Sequence, residues 1–262
     1  MTRMLRTVTV ATLMLPALSA AQSPEEKGLA LVQEADRRYS GYGDFTARFR
    51  MILRNKQGQV SERELRVRTL EIPQEGTRSL CIFDSPADVK GTVLLTHTHE
   101  HQADDQWLYL PALERVRRIA AQNKSGSFMG SEFSYEDFAT QVIEKYSYQW
   151  LRDETYADQA CHVIERRPLD KKNSGYLRQV VWMDQEHLRM LKVDYYDRKD
   201  SLLKTLTVKD YRKYEDRFWR PGGMDMVNHQ TGKSSELLWS DYAFRTGLSE
   251  SEFNQQNLTR IR

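Results

Sequence analysis

Long apolar runs, cysteine, proline, glycine and net charge are all scarce in this chain of 262 residues, and each scarcity removes a class of protein. The one largely apolar stretch, residues 8–18, falls short of the roughly 20 residues a bilayer-spanning helix requires. With only 13 glycines and 7 prolines, collagen-like, low-complexity and disordered classes are excluded. Lysine and arginine number 39 against 37 acidic residues, so no electrostatic footprint for nucleic acid is present. The two cysteines, Cys81 and Cys161, lie too far apart for Cys-x-x-Cys redox or zinc chemistry. They either pair or sit as two small buried apolar side chains. No nucleophile elbow, phosphate-binding loop, dinucleotide fingerprint or His-Glu-x-x-His motif occurs, so no catalytic residue is anticipated.

Residues 1–21 read as a secretory signal peptide. Arg3 and Arg6 give a basic start, the short apolar run follows, and Ser19-Ala20-Ala21 supplies the small residues of a cleavage site. Cleavage after Ala21 leaves 37 basic and 37 acidic residues, and no cysteine follows directly to accept a lipid anchor. A periplasmic, unanchored and monomeric protein is expected, with residues 22–262 forming one domain.

Within that domain, Ser23-Pro24-Glu25-Glu26 carries an N-cap, a proline at the first helical position and a capping-box glutamate. Leu29, Val32, Ala35 and Tyr39 continue at helical spacing. From Phe45 the period changes to two, and strand-like runs cover 45–53, 64–72, 78–83, 92–98, 106–110, 146–151, 160–166, 177–183, 190–196, 202–208, 219–228 and 235–244. Short polar turns join many of them and no strand-helix-strand unit repeats, which predicts a mainly β, antiparallel fold. Residues 113–145 interrupt the pattern with glycines and aromatics and read as a loop with short helices. A last short helix is expected after Ser249.

The densest group of potential metal ligands is His97-Thr98-His99-Glu100-His101 with Asp104 and Asp105. Alternate positions on a strand share a face, so the three imidazoles have zinc-ligand spacing. The run resembles the His-x-His-x-Asp-His loop of metallo-β-lactamase-like hydrolases, yet His101 stands where that pattern has Asp and Gln102 where it has His. The alternative is a strand end and a polar turn with histidines at its tip.

Trp107-Leu108-Tyr109-Leu110-Pro111 followed by Arg115-Val116-Arg117-Arg118, then Gly126-Ser127-Phe128-Met129-Gly130-Ser131-Glu132-Phe133, resembles the signature of the exported outer membrane lipoprotein-sorting protein family. Val181-Trp182-Met183-Asp184 and Leu202-Leu203-Lys204 extend the likeness over most of the chain. That family is similar in fold to periplasmic lipoprotein carriers of the LolA type. The resemblance implies an incomplete, strongly curved antiparallel β-barrel of about 11 strands, enclosing or covered by short helices and sheltering an apolar cavity for acyl chains. It further implies a soluble carrier between inner and outer membrane, served by an RND-type transporter and an outer-membrane acceptor, without cofactor or nucleic acid. A periplasmic sensor of lipids or lipoproteins is the second reading, and a zinc hydrolase built on His97, His99 and His101 the third.

Such a carrier needs an apolar lining, a movable cover and a polar rim. Phe49, Met51, Trp107, Tyr109, Trp182, Leu191, Val193 and Tyr195 have the period-two placement of a lining. Phe128, Met129, Phe133 and Phe138, among glycines, are the candidate cover. Arg115, Arg117 and Arg118 form the candidate head-group or partner patch.

Overall fold

The computed structural model describes residues 22–261; the signal peptide expected at 1–21 lies outside them. The opening helix, α1 (Pro24–Tyr39), begins with the capping box its sequence encodes: Ser23 Oγ accepts from Glu26 N and the Glu26 carboxylate accepts from Ser23 N. It ends on Ser40, whose N–H closes the last turn onto Asp36.

Fifteen strands follow: β1 (Asp44–Arg54), β2 (Val60–Ile72), β3 (Gly76–Ser85), β4 (Val93–His97), β5 (Asp105–Leu110), β6 (Arg115–Arg118), β7 (Tyr146–Tyr156), β8 (Gln159–Pro168), β9 (Arg178–Asp184), β10 (Met190–Tyr196), β11 (Leu202–Lys209), β12 (Arg212–Tyr214), β13 (Phe218–Arg220), β14 (Gly223–Asn228) and β15 (Ser234–Phe244). Thirteen form one antiparallel sheet in the order β6-β5-β4-β3-β2-β1-β15-β14-β11-β10-β9-β8-β7, and β12 pairs with β13 alone. The sheet is open between β6 and β7, and its strand count exceeds the eleven expected. The arginine-rich β6 adds a strand to the sheet and carries no apolar alternation to reveal it, while Pro221-Gly222 splits the expected 219–228 run, since proline lacks an N–H for the ladder, and leaves β13 to pair with β12 outside the sheet. Register shifts at Thr46/Arg48, Glu64/Leu65, Trp150/Arg152 and Met190/Lys192 mark bulges, which bend strands and help curl so wide a sheet.

The inner face holds the main core. Phe49 and Met51 of β1, Leu65 of β2, Cys81 and Phe83 of β3, Leu94 of β4 and Leu108 of β5 meet Phe128 and Phe133 of the segment between β6 and β7. That segment, expected as a loop with short helices, consists of 3-10 turns such as Tyr135–Phe138. Beside it α1 lies on the other half of the same face, with Leu31, Val32 and Ala35 against Tyr148, Ile164 and Met183. A Cβ on Gly28 would stand 2.7 Å from Trp150 N, so only glycine lets α1 come this close to β7.

The outer face is apolar too. Phe253 and Leu258, on 3-10 turns at Glu250–Phe253 and Gln255–Arg260, cover Leu80, Ile82, Val93 and Leu95. Cys161, Val163, Val180, Trp182 and Leu191 form a separate outer cluster. The two cysteines are free thiols in different clusters, Cys81 inside and Cys161 outside.

Candidate functional site

Two cavities lie on the inner face. The larger, about 670 Å³, opens beneath the segment between β6 and β7; Phe133, Glu136 and Asp137 roof it, and Arg166, Gln179, Tyr195, Leu206 and Met224 form its floor. The smaller, about 320 Å³, lies between α1 and the sheet, walled by Val32, Ala35, Ile143, Tyr148, Ile164, Met183, Trp219 and Arg220. Gln141, Arg166, Met190 and Met224 line both, so the two are neighbouring parts of one trough.

The roof turns back on itself at Met129 and Gly130, consecutive residues with φ of 50° and 82°, and Phe128 N donates to Phe133 O at 2.8 Å across the reversal. Left-handed geometry at the second position suits glycine. Phe128, fully buried, packs on Phe83 and Phe138 with ring centroids 5.6 and 4.4 Å away. Polar bonds fix the roof to the sheet. Lys204 Nζ donates to Asp137 Oδ2 at 2.6 Å and Glu132 O at 2.9 Å, Asn228 Nδ2 donates to Glu132 Oε2 at 2.7 Å, and Arg63 donates to Met129 O.

The Asp137–Lys204 pair leaves only 7% and 4% of the two side chains exposed. Tyr176 Oη donates to Asp137 Oδ1 at 2.9 Å and meets Ser134 Oγ at 3.0 Å. Beside it Glu136 accepts from Ser174 Oγ and Gly175 N, each at 2.9 Å. Burial, reinforced by the Asp137 charge, pushes the Glu136 carboxyl up to about 7. Burial likewise raises the Tyr176 phenol. Gln106 donates its amide to Tyr135 O at 2.8 Å, while its buried Oε1 has no protein partner. The larger part of the trough is therefore lined mostly by polar residues, with Phe133, Met190, Leu206 and Met224 set among charged and amide groups and one carboxyl, Glu136, that gains a proton readily, while the smaller part is mainly apolar.

The residues singled out in the sequence separate into two sets. Phe49, Met51, Phe128, Phe133, Val193 and Tyr195 share the inner core, with Met129 and Phe138 against it; of these, Phe133 and Tyr195 also line the larger cavity. Trp107 and Tyr109 face outward against the C-terminal turns, and Trp182 and Leu191 lie in the other outer cluster, contrary to the expected lining role. The alternation at these strands is real, but both sheet faces are apolar, so period two does not label the inner one. At Leu191 the bulge between Met190 and Lys192 turns the following side chains over, and Met190 faces the cavities instead.

Arg115, Arg117 and Arg118 sit on the exposed edge strand β6, away from both cavities, with Arg118 paired to Asp105. The three histidines diverge because β4 ends at His97. His97 Nε2 bonds Phe253 O at 2.8 Å on the outer face, His99 bonds Asp105 at 3.2 Å, and the His101 side chain is 82% exposed. Among the described residues no group of three or more His, Cys, Asp or Glu side chains is placed to hold a metal. The polar floor and roof, Glu136, Asp137, Tyr176, Arg166 and Lys204, were not singled out in the sequence. The charged residues interrupting apolar alternation at 166 and 204 are the signal that marks them.

A family model described as an uncharacterized protein matches residues 75–260. An outer membrane lipoprotein-sorting protein domain from Vibrio parahaemolyticus is 53% identical over 90% of this chain and 100% of its own, with a TM-score of 0.88. A DUF1329 family protein from Desulfovibrio piger is 32% identical over 90% of this chain and 99% of its own, with a TM-score of 0.86. A LolA superfamily protein from Nitrosomonas europaea, 20% identical over 87% of this chain and 97% of its own, shares the fold at a TM-score of 0.69. No curated protein matches this chain. The chain belongs to the outer membrane lipoprotein-sorting protein family, whose fold is that of the LolA superfamily.

Proposed function

We propose that this protein is a soluble periplasmic carrier that shelters the acyl chains of a lipid or lipoprotein in the inner-face trough between an inner-membrane transporter, of RND type, and an outer-membrane acceptor. The observation that supports this most is the cavity of about 670 Å³, within the size range of ligand sites, roofed on one side by a segment of the chain and open to solvent near His101 and Leu169. Kinship with a lipoprotein-sorting domain supports the cargo class. Loading draws on burial of methylene groups, about 0.8 kcal/mol each, and needs no covalent step. Release requires a partner that favours the open state, because the roof is tied down by Lys204, Arg63 and Asn228. Phe128, Met129, Phe133 and Phe138 act as the movable cover in this reading.

The test is native mass spectrometry with lipid extraction on protein taken from the periplasm without detergent. An acylated molecule is expected to co-purify, and Met224→Glu, which puts a carboxylate into the wall of both cavities, is expected to lose it while keeping the fold. Protein that is folded, empty and indifferent to acylated probes overturns the reading.

A further inference from the structure

Arg220 is a cation with its anion missing. Its guanidinium centre lies 5.2 Å from the ring centroid of Tyr42, 5.6 Å from Phe45, 5.6 Å from Phe218 and 5.4 Å from Phe244, and one of its nitrogens donates to Trp219 O at 3.1 Å. Aromatic faces hold a guanidinium without neutralising it. Among the described residues no carboxylate forms an ion pair with it, Glu71 acting only at longer range, although it is partly buried and forms part of the wall of the smaller cavity.

Arginines outnumber carboxylates in that wall, three to one. Arg189 is neutralised by Asp184 at 2.9 Å. Arg166 donates to the Gln179 amide at 2.5 Å and has no carboxylate partner among the described residues. The one carboxyl in the wall is Asp36, its proton affinity raised mainly by burial and next by the charges of Glu144 and Glu100. Beyond Tyr39 and Trp219, which line both spaces, the cavity adjoins a groove bearing Arg37, Arg38, Lys213 and Arg217 with Asp216; Arg37 and Arg38 share Glu34, at 2.7 and 2.8 Å, so the groove keeps a smaller excess of positive charge. The remaining wall, including Val32, Ile164 and Met183, is apolar. An apolar slot with an uncompensated guanidinium and a basic approach fits a tail and an anion together.

We infer that the smaller cavity is a subsite for an anionic amphiphile, whose chain lies along Val32, Ile164 and Met183 and whose carboxylate or phosphate oxygen meets the guanidinium of Arg220. The inference rests on the reading of the trough as an acyl site and adds the charge of the head group.

The test is titration of the purified protein with palmitate, a palmitoyl lysophosphatidic acid and uncharged monopalmitoylglycerol. At least one anionic probe is expected to bind about ten-fold or more tighter than the uncharged one, and Arg220→Gln is expected to erase that preference while leaving monopalmitoylglycerol unchanged. Whichever anionic probe binds tighter identifies the head group. Equal binding of charged and uncharged probes, or a preference that survives Arg220→Gln, overturns the inference and leaves the carrier reading standing. Failure of all three probes overturns both. A readout independent of that substitution is quenching of Trp219 by a chain-brominated fatty acid in the native sequence, with Trp219→Phe as the control. A Trp219 signal that the bound acid does not quench also overturns the inference.

Discussion

The two halves of the inner face share one sheet and one alternation, yet one half is filled and the other is hollow. From β1 to β5 the inward residues are Phe49, Met51, Leu65, Cys81, Phe83, Leu94 and Leu108, and the roof's Phe128 sits directly on them. From β8 to β14 the inward positions mix Ile164, Val181 and Met224 with Arg166, Gln179 and Lys204; α1 lies over Ile164 through Leu31, Val32 and Ala35, and the roof bonds to Lys204. Aromatic rings interdigitate and exclude space, whereas fixed polar groups need partners at set distances and hold the covering elements off. The same sheet thus supplies a rigid foundation on one side and a ligand space on the other.

The largest effect should come from breaking the polar tie between the halves. Asp137→Asn leaves Lys204 buried without its counter-charge and is expected to cost about 3–5 kcal/mol in urea unfolding. In the filled half, Phe128→Ala is expected to cost a similar 3–5 kcal/mol, while Met190→Ala in the hollow half, already facing empty space, costs less than about 2 kcal/mol but weakens retention of acyl probes. Comparable losses at the two positions would erase the distinction.

Glu136 gives the hollow half a pH dependence. Its folded-state carboxyl is raised to about 7 from an ordinary 4.5, so its stabilising contribution is complete below about 4.5 and is lost as pH rises through 7. Glu136→Gln mimics the protonated form and is expected to flatten the stability profile between pH 5 and 8, raising stability at pH 8 by about 2 kcal/mol. Gly28→Ala pushes α1 off Trp150 and should cost about 1–3 kcal/mol, read by thermal unfolding. Smallest is Ser23→Ala, which removes the α1 cap for about 1 kcal/mol, visible in the same melts.

Much of the architecture was legible in the sequence because local chemistry and tertiary role agree. The capping box at Ser23 and Glu26, the alternation through Phe49 and Met51, and the break at 113–145 each appear where expected. The split at Pro221-Gly222 and the strand made of Arg115 to Arg118 did not declare themselves, because one hides inside an apolar run and the other lacks one. For the candidate site, the roof was readable from glycines flanking aromatics. The lining was scarcely readable: of the eight expected residues only Tyr195 reaches a cavity wall, Phe49, Met51 and Val193 lie in the filled core, and Trp107 and Trp182 have the same spacing as Phe49 but meet the other face. Which face is inside depends on residues 250–260 returning to cover Leu80 and Val93, a contact between distant parts of the chain.

An open sheet has two free margins, and each unpaired margin is a template on which a second copy can add a strand. Here α1 lies along β7, held by Lys27 stacked 3.5 Å from the Trp150 ring, so that margin runs beneath a helix. The other margin is only four residues long and carries Arg115, Arg117 and Arg118, which would face the same three arginines of a copy arriving with its own β6. Like charge along so short a margin disfavours edge-to-edge pairing of two copies through β6, so repulsion does at that margin what the helix does at the other.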